Sequence, residues 1–132
     1  MSDLLLDTCA LVWIAGKEAL KPQARHAIAA EQLHVSPITA WELACLSRKG
    51  RLIFSEPLDQ WFNRAVERMS ALIPVLSVEL LIASQQLPAA PPSDPADRIV
   101  IATARQFGLV ILTRDEAILR YGHEGHAHVM EC

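Results

Sequence analysis

The stretch DPADRIVIATARQFGLVILTRDE, residues 94–116, decides the fold class. Asp94-Pro95 writes a helix start, with Asp94 as N-cap and Pro95 as the first helical residue. Asp97 follows at the third position, where a carboxylate suits the positive end of the helix dipole. RIVIATA is apolar nearly all round, so the helix 95–107 is expected to be deeply buried. LVILT (109–113) is a continuous apolar run, the pattern of a strand covered on both faces in a parallel sheet. Thr113-Arg114-Asp115-Glu116 then has capping-box spacing and opens another helix.

Outward from this core the same alternation continues. LLL (4–6) reads as a buried strand closed by Asp7-Thr8, followed by a short helix CALVWIAG (9–16). Residues 21–32 form an amphipathic helix and LHVS (33–36) the next strand. Ser36 caps a helix with Pro37 at its first position, running to about Lys49 and stopped by Gly50. Residues 58–72 are amphipathic, IPVLSV (73–78) reads as a strand, and Ser77 is placed to cap a helix over 79–87. LPAAPPS (87–93) is short enough to be a loop within the domain, and the tail AHVMEC (127–132) completes a last strand. Strands alternating with helices give an α/β fold with a parallel sheet and right-handed crossovers, a single domain over 1–132.

Composition narrows the class. With 52% hydrophobic residues and no excess of Gly or Pro, a packed core is expected rather than disorder. No apolar run reaches the about 18 residues of a membrane span. The N-terminus has no basic region and carries Asp3 and Asp7 among its apolar residues, so it does not read as a signal peptide. Three cysteines, Cys9, Cys45 and Cys132, without CxxC spacing fit free thiols in a reducing cytoplasm better than disulfides or a zinc cage. The formal net charge of −3 argues on its face against a nucleic-acid partner. Four of the 15 acids acting as metal ligands would leave eleven against 12 Lys and Arg, a neutral to slightly basic surface, which weakens that inference.

The acids carry the chemistry. Asp7 ends the first strand, Asp115 follows LVILT, Asp97 lies in a first helical turn, and Glu42 lies in the second turn of the helix leaving the second strand. In a parallel sheet all four sit at one end, where ligands bind in folds of this kind. Converging carboxylates raise one another's pKa, and a hard cation removes the conflict. Oxygen-only ligands point to Mg²⁺ or Mn²⁺ rather than zinc. Each acid also has a plainer reading: Asp94 and Asp97 as helix-start acids, Asp115 as a dipole partner beneath Thr113. Glu42, within AWELACL, and Asp7, after LLL, are harder to dismiss because an unpaired buried charge is costly.

LLLDT, SPITAWELACLSRKGRL, DPADRIVIATA and LVILTRD resemble, in order and spacing, the four acid-bearing motifs of PIN-domain nucleases, and among them the VapC-type toxins of bacterial toxin–antitoxin pairs. The resemblance covers essentially the whole chain. It implies a three-layer α/β/α fold with a parallel sheet of about five strands and a Mg²⁺-dependent endoribonuclease acting on RNA, with tRNA and rRNA as the plausible targets. It also implies a homodimer held inactive by a cognate VapB-type antitoxin whose C-terminal segment occupies the active-site groove. Carried over, the catalytic and metal-binding quartet is Asp7, Glu42, Asp97 and Asp115. Asp94 matches an acid at the site's edge, and Thr8 and Thr113 match supporting hydroxyl positions. Pro92-Ser93 stands where relatives often carry a His or a charged residue. Arg98 and Arg114, beside catalytic acids, are candidates for RNA phosphates or for simple ion pairs. The alternative function is a catalytically degenerate PIN fold that binds RNA or protein.

Other features read as structural. HEGHAH (123–128) reads as a solvated tail or turn, Cys9 as a small core residue without an activating base, and the three tryptophans as mostly packing. Two rival phosphoryl-transfer classes fail. A haloacid-dehalogenase-like phosphatase needs an Asp where Cys9 stands, and a response-regulator receiver needs a late Lys, whereas none follows Lys49.

Overall fold

The computed structural model describes residues 3–132. Four strands, β1 (Leu4–Leu6), β2 (Leu33–Val35), β3 (Val110–Thr113) and β4 (His128–Glu131), form one sheet in the order β2-β1-β3-β4. Every pair is parallel, with Leu6 opposite Val35 on one side and Leu112 on the other. Seven helices connect them: α1 (Thr8–Ala15), α2 (Pro22–Ala30), α3 (Pro37–Arg48), α4 (Leu58–Arg68), α5 (Val78–Gln85), α6 (Pro95–Phe107) and α7 (Glu116–His123).

Alternation along the strands makes the layers. Leu4 and Leu6 of β1 and Leu112 of β3 pack with Ala10, Leu11, Ala24, Leu43, Phe62 and Ala65 of the first four helices. Leu5 and Ile111 point the other way, against Val100, Ile101 and Ala104 of α6 and Ile118 and Tyr121 of α7. Successive side chains of a strand face opposite sides, so a run such as LLL is buried whole only between two helical layers. This is the three-layer α/β/α architecture expected from the sequence.

Several helix starts follow the local code. Ser36 accepts from Ile38 N and Ser77 from Leu80 N, both at 3.1 Å, and Asp94 accepts from Asp97 N at 2.9 Å. Two expectations change. Thr113 does not cap α7; it is the fully buried last residue of β3, and Asp115 is the N-cap, accepting from Ile118 N at 3.0 Å. The segment 73–78 is not a strand. Leu72 alone bridges β2, with Leu72 N donating to Leu33 O and Val35 N donating to Leu72 O. The next residue to donate in such a ladder would be Pro74, which has no N–H, so a fifth strand stops after one bridge. Val75 is left 74% exposed.

The strand order reverses direction at β1, with β2 on one side and β3 on the other. Asp7 directly follows β1, and Asp115 lies two residues beyond the end of β3. This is the switch point where a parallel sheet opens a crevice beyond its carboxyl ends.

On the far side of β3, α7 approaches β4 closely enough that a Cβ built on Gly122 would lie 2.5 Å from both Cγ atoms of Val129. Gly122→Ala should lower unfolding stability by about 1–3 kcal/mol through overpacking. Adding Val129→Ala should restore part of that loss in chemical denaturation. Equal penalties in the two backgrounds would refute the close approach.

Candidate metal centre

Five carboxylates meet beyond the carboxyl ends of β1 and β3, each mounted on a helix. Asp7 is the N-cap of α1 and only 4% exposed. Its Oδ1 accepts from Thr8 N at 2.7 Å, and its Oδ2 from Thr113 Oγ1 at 2.8 Å. Thr113 Oγ1 in turn accepts from Asp115 N at 2.9 Å, so one hydroxyl ties the loop after β3 to the carboxylate after β1. Thr8 Oγ1 donates to Glu42 Oε1, linking α1 to α3. Asp94 caps α6, and Asp97 lies in its first turn.

Within this group, one ligand atom each from Glu42, Asp94 and Asp97 lie within 4.8 Å of one another. Asp7 and Asp115 stand outside that trio, yet near enough for their charge to act on Asp97 and Glu42. Of the four acids singled out in the sequence, the structure thus brings Glu42 and Asp97 within coordinating distance, with Asp7 and Asp115 in electrostatic range of both. It also brings Asp94, placed at the edge by resemblance, within coordinating distance of two of them. The sequence signal for Asp94 was its i, i+3 spacing to Asp97; capping accounts for one of its oxygens and leaves the other free.

The electrostatics are those of uncompensated like charge. Asp97 is pushed up to about 8, chiefly by burial and then by Asp94, Asp115, Asp7 and Glu42. Burial also raises Glu42, with the Thr8 hydrogen bond opposing and Asp7, Asp94 and Asp115 adding to the rise. Asp7 is raised by burial against the stabilising bonds from Thr113 and Thr8. Among the described residues the ion pairs are Lys21–Glu131 and Arg64–Glu56, so none of the five acids has a cationic partner. Buried charge needs compensation. A site made only of carboxylate and hydroxyl oxygens, with no cation of its own, fits a hard divalent cation.

The two arginines beside these acids turn away from them. Arg98 Nη1 points at Ser84 O, 3.4 Å away. Arg114 Nε donates to Cys132 O at 2.7 Å and Nη2 to Ala19 O at 2.9 Å, with the guanidinium 3.9 Å from the Trp13 ring centroid. Neither makes an ion pair with an acid of the cluster. Cys9 is at the surface rather than in the core. Partial burial of its sulfur and the charges of Asp7, Glu42 and Asp115 push its thiol up to about 11, which keeps it protonated and unreactive. Trp41 is 58% exposed, against the expectation of packing. In the histidine tract, His126 lies against Tyr121 with ring centroids 4.9 Å apart, and no three potential ligands converge there among the described residues.

Comparison with known proteins agrees with this geometry. Residues 4–124 match the family model of the PIN domain. Ribonuclease VapC22 of Mycobacterium tuberculosis is 32% identical over 125 residues, spanning 93% of this chain and 95% of the relative. Among solved structures, FitAcB from Neisseria gonorrhoeae superposes with a TM-score of 0.59 at 18% identity, covering 96% of each chain. VapBC2 from Rickettsia felis, bound to a promoter DNA fragment, superposes with a TM-score of 0.59 at 12% identity, covering 97% of each. At such identities these two likenesses concern the fold.

The raised Asp97 pKa sets a pH dependence for the metal-free protein. A carboxyl with a folded pKa near 8, against an ordinary 3.8, favours folding while protonated; that contribution is full below 3.8 and is lost progressively as pH rises to about 8. In EDTA, the melting temperature should fall as pH rises toward about 8 and level off above it. Saturating Mg²⁺ or the substitution Asp97→Asn should flatten the profile, and a flat profile in EDTA would contradict the electrostatics described.

Proposed function

This chain belongs to the PIN-domain family, in its VapC-type branch, and from that premise we propose that it is a metal-dependent endoribonuclease, the toxin of a toxin–antitoxin pair. The observation that carries the proposal is the grouping of five carboxylates at the switch point of the sheet, none paired with a basic side chain among the described residues. The ribonuclease name of the Mycobacterium relative supports RNA as substrate, with tRNA or rRNA the expected target class.

Glu42, Asp94 and Asp97 would hold the ion, with Asp7 and Asp115 alongside, directly or through water. A bound Mg²⁺ or Mn²⁺ supplies a lowered pKa for water and positive charge opposite the scissile phosphate. The remaining chemistry belongs to the chain. Thr113 and the Thr8 amide occupy one lone pair on each oxygen of Asp7 and so fix its plane. Thr8 Oγ1 holds Glu42 by Oε1, leaving Oε2 to accept a proton from an attacking water. In the in-line displacement, the water oxygen bonds to phosphorus while the P–O bond to the leaving ribose oxygen breaks, and that oxygen takes up a proton. Arg98, half-buried one residue from Asp97, would serve as a phosphate contact in this reading only on leaving Ser84 O, toward which its Nη1 now points.

Partners follow from the same premise. The solved FitAcB and VapBC2 structures support a VapB-type antitoxin as partner. No helix among the described residues is long and apolar enough to cross a membrane, and the proposed place of action is the cytoplasm, where RNA targets are found. A homodimer is supported by the exposed aliphatic residues Leu72, Ile73, Val75, Val78, Leu81 and Ile82. Glu79 is the one charged residue between 72 and 82, so this face suits a second copy of itself.

Asp7→Asn or Asp97→Asn should reduce metal-dependent RNA cleavage by about a hundredfold or more while leaving the fold intact by thermal melting. Full residual cleavage would sink the assignment, and RNA binding without metal-dependent cleavage in the unaltered protein would favour the degenerate binding module. For the homodimer, Ile82→Asp should shift the mass measured by light scattering to that of a monomer. A monomeric unaltered protein would overturn that part.

A further inference from the structure

We propose that Arg114 is a positioning residue, a clamp that sets the turn between β3 and α7 on which the acids of the site depend, rather than a contact for RNA phosphate; this rests on the metal-site reading above. Arg114 lies between Thr113, whose hydroxyl holds Asp7 and the Asp115 amide, and Asp115, which caps α7. Its side chain leaves this turn and is fixed by three different parts of the chain. Nε donates to Cys132 O just after β4, Nη2 donates to Ala19 O in the loop after α1, and the guanidinium plane lies over Trp13 of α1. Two charge-assisted bonds and a cation–π contact use the planar fork in a way a single ammonium cannot reproduce.

The consequence for the site is geometric. Asp7 heads α1, and Trp13 lies six residues along the same helix, so one guanidinium couples α1 to the turn after β3. At the head of α1 the same two segments are joined by the Thr113–Asp7 hydrogen bond, 2.8 Å long, and by Asp7 N donating to Leu112 O at 3.1 Å. Like charges on Asp7 and Asp115 push these two segments apart, and both acids raise the pKa of Asp97 across the crevice. A fixed tie on the outside of the turn opposes that repulsion without placing a positive charge among the ligands. The charges that act most strongly on Asp7, Glu42 and Asp97 are those of other acids, and Arg114 makes no ion pair with any of them. Groups supporting metal ligands typically change affinity by about 10–100-fold when removed.

The test compares Arg114→Lys and Arg114→Gln with the unaltered full chain, reading Mn²⁺ affinity by calorimetry and the salt dependence of RNA binding without metal. A clamp predicts that both substitutions weaken Mn²⁺ binding by about tenfold, Lys included, with the slope of log affinity against log salt unchanged. A phosphate contact predicts the reverse: Lys behaves as Arg, and Gln loses about one unit of slope with Mn²⁺ affinity intact. That result overturns the proposal, as does a lowered melting temperature with unchanged Mn²⁺ affinity, which would make Arg114 a staple of stability alone. Failure of the unaltered protein to bind Mn²⁺ would remove the metal-site reading and the clamp with it, whereas binding by the unaltered protein and equal binding by both variants would remove the clamp alone.

Discussion

Repulsion among carboxylates held at one end of a parallel sheet is the constraint around which this structure is organised. Asp7, Glu42, the Asp94–Asp97 pair and Asp115 come from four separate places in the chain, and the fold brings them together without a basic partner among the described residues. The cost appears in the raised pKa values of Asp7, Glu42 and Asp97. An arrangement that disfavours its own ionised state is stabilised by whatever cation it binds. Burial, hydroxyl donors and helix mounts each serve to keep the acids together despite that cost.

The support is built from ordinary elements. Both faces of the sheet are covered, so β1 and β3 are rigid and their carboxyl ends are fixed relative to each other. Asp7, Asp94 and Asp115 are helix N-caps, so for each a main-chain N–H already neutralises part of the charge and sets the direction of the carboxylate. Thr8 and Thr113 each donate their one hydroxyl proton to an acid on another element. The helix start and the candidate ligand are thus the same residue in three of five cases, with one carboxylate oxygen of each accepting from a backbone N–H.

Much of this was legible in the sequence, because capping and burial patterns are local. Ser36-Pro37, Ser77 and Asp94-Pro95 start the helices they announce, and the unbroken apolar runs LLL and LVILT mark strands covered on both faces. What was not legible depends on competition between distant groups. Thr113 has the spacing of a cap, but its hydroxyl is drawn to Asp7, 106 residues away, and Asp115 takes over the cap. The segment 73–78 has strand composition, yet Pro74 lacks the donor that pairing with β2 requires. Asp94 was undervalued because its cap explained its presence, while its nearness to Glu42 depends on α3 lying beside α6. Cys9 and Trp41 looked like core residues, and their exposure follows from where neighbouring helices lie, which helical periodicity does not encode.

The most direct test of the metal centre is calorimetric titration of Mn²⁺ into the metal-free protein at pH 7, repeated in two buffers of different ionisation enthalpy. A carboxyl with a pKa near 8 is mostly protonated at that pH, so a site of this kind should bind the ion and release protons, giving buffer-dependent heats. Binding heats that do not depend on the buffer, or no binding at all, would contradict a metal centre assembled from these carboxylates.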